Sequence, residues 1–239
     1  MKRMLSLCAL LLLTASVSAR AATSLNIGWS DCVGDGGTLD KTFACNTNSG
    51  SATLVLSFTP PAPIPQLSGA QAFVYLATSN GSAALPLWWS MFNAGTCRGN
   101  VLSANAVISD AAVNCLDTWS AEAGVAGISA YTMNWDGPGA ALIEMVASVP
   151  PNELQSLDAT SEWFLFNVKI TYAATVGTSC TGCSSPATLI FRELDVSQPI
   201  GVGDFRLTTA GPRSLATWQG GFATPAQNKS WGMLKSLYR

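Results

Sequence analysis

The sequence predicts an all-β fold, an antiparallel β-sandwich held by disulfides with little helix, and three features carry that expectation. The first is Trp163-Phe164-Leu165-Phe166-Asn167-Val168-Lys169-Ile170. In an extended chain Phe164, Phe166, Val168 and Ile170 share one apolar face, and Trp163, Leu165, Asn167 and Lys169 share the other. Asn167 and Lys169 speak against a parallel strand buried on both sides and favour an antiparallel sheet whose second face is partly open to water. The second feature is a series of further period-2 segments separated by Gly- and Pro-rich turns. The third is an even set of cysteines beyond the leader, Cys32, Cys45, Cys97, Cys115, Cys180 and Cys183, suited to pairing in an oxidising compartment.

Residues 1–21 read as a signal peptide, with Lys2 and Arg3 at the positive end, an apolar run from Leu5 to Leu13, and the small-residue cleavage signal Val17-Ser18-Ala19. Its removal, taken to include Arg20, leaves nine of twelve basic residues against fourteen acidic ones, a formal net charge of about −5. The remaining basic residues form no run, so no nucleic-acid partner is expected. No later stretch approaches the roughly 18 consecutive apolar residues of a membrane helix, so none is expected in the mature chain. Export to the medium or the cell surface, or to the periplasm, follows. The mature length suits one β-sandwich over residues 22–221, with residues 222–239 as a C-terminal tail, two small β domains being the alternative.

The strands follow in order. Leu25–Trp29 alternates and opens the domain, and Lys41–Cys45 rejoins the sheet after a Gly/Asp-rich loop. Thr53–Phe58 places Leu54, Leu56 and Phe58 together and is ended by the proline run from Pro60 to Pro65. Gln71–Thr78 sets Ala72, Val74 and Leu76 against Phe73 and Tyr75. Pro86 confines any strand in the next apolar stretch to a start at Leu87 or to a sheet edge. Val107–Ser109 and Tyr131–Trp135 read as short strands, the second followed by the turn Asp136-Gly137-Pro138-Gly139. Ala140–Val149 carries Ile143, Met145, Ala147 and Val149 on its inner row. Glu153–Leu157 reads as one helical turn, and Leu189–Val196 and Phe205–Thr208 close the series.

The chain contains no histidine, which excludes a Ser-His-Asp or Cys-His relay and histidine-based metal sites. A glycosidase needs two facing carboxyl groups. Glu144, with Glu122, Asp136 or Glu162, supplies candidates, but no spacing places two together. Neighbouring cysteines bracket turn-rich segments, which favours Cys32 with Cys45, Cys97 with Cys115, and Cys180 with Cys183. Cys180-Thr181-Gly182-Cys183 shares its spacing with dithiol redox enzymes, yet its flanks are strand and Ser184-Ser185-Pro186, which favours a structural disulfide. Asp31, Asp35 and Asp40 among flexible glycines are candidate calcium ligands, outside the helix-flanked spacing of ordinary calcium loops. No other cofactor is expected. Trp88 and Trp89 point to opposite faces if extended, so one is a candidate platform for a sugar or a protein partner, against the alternative of fold packing. In the tail, Trp231, Leu234, Leu237 and Tyr238 share one helical face, suited to docking on this domain or on a partner.

With its paired cysteines and a tail carrying Trp231-Gly232, Lys235 and Tyr238-Arg239, the chain resembles uncharacterised secreted β proteins of bacteria. The resemblance implies export and assigns no catalytic residue. The function expected from the sequence is that of an extracellular or cell-surface structural or interaction protein without catalytic activity, its partner an extracellular protein or a polysaccharide. A carbohydrate-binding module using Trp88 and Trp89 is the alternative, and a glycoside hydrolase the third reading.

Overall fold

The computed structural model describes residues 24–78, 84–111, 114–120, 125–208 and 211–220. Residues 1–21, expected to form a signal peptide, and the tail residues Trp231, Leu234, Leu237 and Tyr238 lie outside them. Two sheets pack as a sandwich. In the first, β1 (Ser24–Trp29), β3 (Ser51–Thr59), β11 (Trp163–Thr171) and β6 (Leu102–Asn105) run side by side, with β7 (Leu116–Asp117) also on β11. In the second the order is β2 (Asp40–Lys41), β14 (Leu215–Trp218), β12 (Ala187–Ser197), β5 (Gly69–Thr78), β9 (Ala140–Ser148) and β8 (Val125–Met133), with β13 (Phe205–Leu207) also on β12. A separate ribbon joins β4 (Ile64–Leu67) to β10 (Gln155–Leu157). The pairings are antiparallel except for two short ones, β7 on β11 and β14 on β2, which are parallel.

The core is the set of inner rows that alternation predicts. Leu54, Leu56 and Phe58 of β3 and Phe164, Phe166, Val168 and Ile170 of β11 face Ala72, Val74 and Leu76 of β5 and Ile143, Met145 and Ala147 of β9, all of them buried. On β12 the buried positions are Leu189 and Phe191 and then Leu194 and Val196. This switch of parity is caused by a bulge between Phe191 and Glu193, which adds Arg192 to one strand and returns the following residues to the core.

A second bulge, between Phe164 and Phe166, alters the face expected to meet water. Leu165 is the extra residue and is fully buried, and its carbonyl accepts the Trp119 indole N–H at 2.8 Å. Asn167 is buried as well, its Nδ2 donating to the Val107 carbonyl at 2.6 Å. Lys169 alone of the predicted outer row is exposed.

Several local expectations are corrected. Leu87–Trp89 and Ile108–Ala111 form 3₁₀ turns rather than strands. Glu153–Leu157 supplies strand β10 rather than a helical turn, because it finds a partner in β4. That partner passes through Pro65, which the ribbon tolerates since Pro65 is not one of its registered pairing positions. The strand expected over Tyr131–Trp135 begins at Val125 and ends at Met133, leaving Trp135 in the turn.

The turn that launches β11 is organised by Asp158. Its Oδ1 accepts from the Thr160 hydroxyl (2.8 Å) and amide (2.7 Å) and from the Ser161 amide (2.7 Å), and its Oδ2 from the Ser161 hydroxyl (2.8 Å). These bonds, that of the Thr160 hydroxyl foremost, hold the carboxyl at about 2, below its ordinary 3.8. A depressed acid contributes stability that is complete above its unfolded value and is lost as pH falls through its folded one. The loss therefore falls between about pH 4 and pH 2, and because the group is largely exposed it stays below about 1 kcal/mol. Carboxyl NMR titration should place the Asp158 midpoint at about 2; a midpoint of about 4 would mean that the turn is not formed in solution.

Candidate functional site

The predicted aromatic platform is the centre of the molecule. Trp88 and Trp89 are both fully buried. Their rings meet edge-on at 4.8 Å, and Trp88 lies 4.7 Å from Trp218. Trp218 stacks on Phe43 at 4.0 Å and meets Trp29 at 5.8 Å. The 3₁₀ turn replaces the extended geometry that would have split Trp88 and Trp89 between two faces, so neither offers a ring to a sugar. Trp135 is the exposed tryptophan among the described residues, at 45 %.

Arg98 sits beside this cluster, 1 % exposed, with its guanidinium 3.8 Å from the Trp88 ring centroid. Its Nη1 donates to the Trp88 carbonyl (2.9 Å), Nε to the Ala173 carbonyl (3.0 Å) and Nη2 to the Thr171 carbonyl. Burial lowers its pKa to about 10, which leaves it cationic at neutral pH. This arrangement is a structural clasp, since the donors are directed at backbone carbonyls of the protein itself.

Two of the three aspartates of the Gly-rich loop are taken by separate partners. Asp31 Oδ1 accepts the amides of Cys32 (2.8 Å) and Asn114 (3.0 Å), and its Oδ2 the Asn114 side-chain amide (2.7 Å). Asp40 accepts the Thr217 hydroxyl at 2.8 Å. Asp35 is drawn above the ordinary carboxylate range by desolvation first, and then by Glu162 and Asp31. Among the described residues no group of three or more His, Cys, Asp or Glu side chains is placed to hold a metal ion. The loop is tied across the Cys32–Cys115 bridge.

Of the glycosidase candidates, Glu122 lies outside the described residues. Glu162 accepts Asn26 Nδ2 at 2.9 Å, the Ser57 hydroxyl, and the Gly34 amide at 2.9 Å, joining β1, β3 and the loop. Glu144 sits in β9 of the other sheet, opposite Phe73 of β5. Each carboxylate serves its own sheet.

The cysteines pair as Cys32–Cys115, Cys45–Cys183 and Cys97–Cys180, with Cα separations of 6.1, 5.7 and 5.6 Å. The expected neighbour pairing is corrected throughout. In particular, Cys180 and Cys183 belong to two different bridges, so their spacing forms no dithiol unit. Sequence proximity suggested local loops, whereas the topology brings together segments 83 to 138 residues apart.

Two surface concavities among the described residues gather polar side chains. One, of about 410 Å³, is lined by Gln71, Asp195, Asp204 and Arg206. There Arg206 is already held by Asp195 through two bonds, at 2.6 and 2.8 Å, with Glu193 at 3.3 Å. The other, of about 310 Å³, gathers Lys41, Asp110 and Tyr172, and burial lifts the Tyr172 phenol above its ordinary pKa. No motif marks these three in the sequence, because they come from separate segments that only the folded sheets bring together. No protein-family model matches the chain, and no curated protein matches it.

Proposed function

We propose that the mature chain is an extracellular or cell-surface structural or interaction module without catalytic activity. The observation that carries this reading is where its chemically capable side chains are spent: Trp29, Trp88, Trp89, Trp218 and Arg98 are sunk in the core, and six cysteines form three long-range bridges. Such a scaffold suits persistence in an oxidising environment. The N-terminal leader supports export, and the tail from Trp231 to Arg239 supports an attachment or self-packing role.

Expression of the full chain followed by fractionation is expected to give a processed, oxidised protein in the medium, on the surface or in the periplasm. Cytoplasmic retention of the unprocessed chain would refute the reading. A version ending after Gly221 separates the tail's roles: lost surface retention at unchanged thermal stability selects attachment, and lost stability selects packing. Turnover of a polysaccharide abolished by Glu144→Gln would overturn the non-catalytic assignment.

A further inference from the structure

The smaller concavity is an open groove of about 310 Å³ where β1 ends, β3 begins and β11 ends, lined in part by Ser30, Lys41, Ser51, Thr53, Asp110 and Tyr172. Its volume falls at the lower end of small-ligand sites, roughly 300–1,000 Å³. The groove is anchored to the core. Phe43, also in the lining, stacks on Trp218 at 4.0 Å, and Tyr172 meets the Phe43 ring edge-on at 6.4 Å. Lys41 Nζ donates to Ser30 Oγ at 2.8 Å and stands 5.4 Å from the Phe43 centroid, a contact that uses one of its three donors. Across the groove, Asp110 Oδ2 accepts Asn105 Nδ2 at 2.9 Å, which leaves Oδ1 as an acceptor. Ser30 holds φ at 73°, a left-handed conformation, and its backbone N–H donates to the Thr53 carbonyl at 2.9 Å.

This lining discriminates among guests. An anion attracted to Lys41 would also meet the Asp110 carboxylate. An apolar ligand would strip water from hydroxyls and charges without replacing their hydrogen bonds. A sugar ring meets each demand, because its C–H face packs on an aromatic ring while its hydroxyls both donate to a carboxylate and accept from an ammonium.

We infer that this groove binds one ring of a neutral glycan, with Tyr172 as the stacking surface, Asp110 as acceptor and Lys41 as donor. The inference rests on the interaction-module reading and gives that module a polysaccharide rather than a protein partner.

The test titrates the oxidised mature protein with cello-, xylo-, manno- and laminari-oligosaccharides, using calorimetry for binding and a reducing-end assay on the same samples. At least one series is expected to bind without release of new reducing ends. Tyr172→Ala and Asp110→Ala should each weaken it by about tenfold or more, and Tyr172→Phe, which keeps the ring and its packing, should retain most of the affinity. Since Tyr172→Ala removes a contact to the core, unfolding midpoints are recorded for all variants. Asp110 is exposed, so Asp110→Ala tests the groove without disturbing the aromatic cluster.

Failure of all four series to bind overturns the glycan assignment and leaves the interaction module standing with a protein partner. Binding that survives both Tyr172→Ala and Asp110→Ala but is lost in Trp135→Ala overturns it by placing the platform on the β8–β9 turn. Reducing-end release would overturn the non-catalytic reading instead, while groove-dependent binding would stand.

Discussion

Arg98→Met is expected to destabilise the fold by about 2 to 4 kcal/mol, because three backbone carbonyls, that of Trp88 buried and the other two partly so, lose their donor together. The carbonyls belong to Trp88, Thr171 and Ala173, so the guanidinium joins the 3₁₀ turn to the end of β11. A buried cation without an ion-pair partner is itself unfavourable. Here charge-assisted bonds and the Trp88 ring at 3.8 Å offset that penalty. Methionine fills much of the space and removes the charge, yet it satisfies none of the carbonyls. Arg98→Lys should recover only part of the loss, since a single ammonium cannot reproduce the planar fork. Urea unfolding followed by tryptophan fluorescence reads both variants directly. A loss below about 1 kcal/mol for Arg98→Met would show that water or a rearranged backbone satisfies those carbonyls.

The main strands were legible because their burial follows their own alternation. β3, β5, β9 and β11 each carry a row of apolar residues at period two that lies in the core, and in β12 the row changes parity at the bulge beside Arg192. Where burial comes from contacts distant in sequence, the local pattern failed. Leu215-Ala216-Thr217-Trp218 has no alternation to announce β14, since Ala216, Thr217 and Trp218 are all buried between neighbours. β4 was hidden by Pro65 and the prolines that precede it. Trp88 and Trp89 carry the composition of a ligand platform, and only the position of Trp218 and Arg98 beside them makes them core. The candidate groove was invisible for the same reason, since Lys41 of β2, Asp110 of a 3₁₀ turn and Tyr172 just beyond β11 converge only in the folded chain. Cysteine number was readable but connectivity was not, because bracketing a turn is a local criterion and the bridges join distant segments.

Removing the Cys45–Cys183 bridge by the double substitution Cys45→Ala and Cys183→Ala is expected to destabilise the protein by roughly 3 to 4 kcal/mol in the chain-entropy account, because the two bridges that remain already shorten the loop it closes. The bridge spans 138 residues, the largest separation of the three. Its surroundings depend on it as well. The Trp218 indole donates to the Cys183 carbonyl at 2.7 Å, and Gln219 Nε2 donates to the Phe43 carbonyl at 2.9 Å and contacts Cys45 Sγ at 3.1 Å. The cross-link therefore holds the segment after β2 against the segment before β12, with the Phe43–Trp218 stack between them. Equilibrium unfolding of the oxidised double variant measures the loss, and a value below about 1 kcal/mol would mean that aromatic packing alone holds this corner. Non-reducing peptide mapping of the native protein supplies the complementary result. A Cys45–Cys183 peptide is required, and a peptide linking Cys180 to Cys183 would contradict the connectivity on which the expected loss depends.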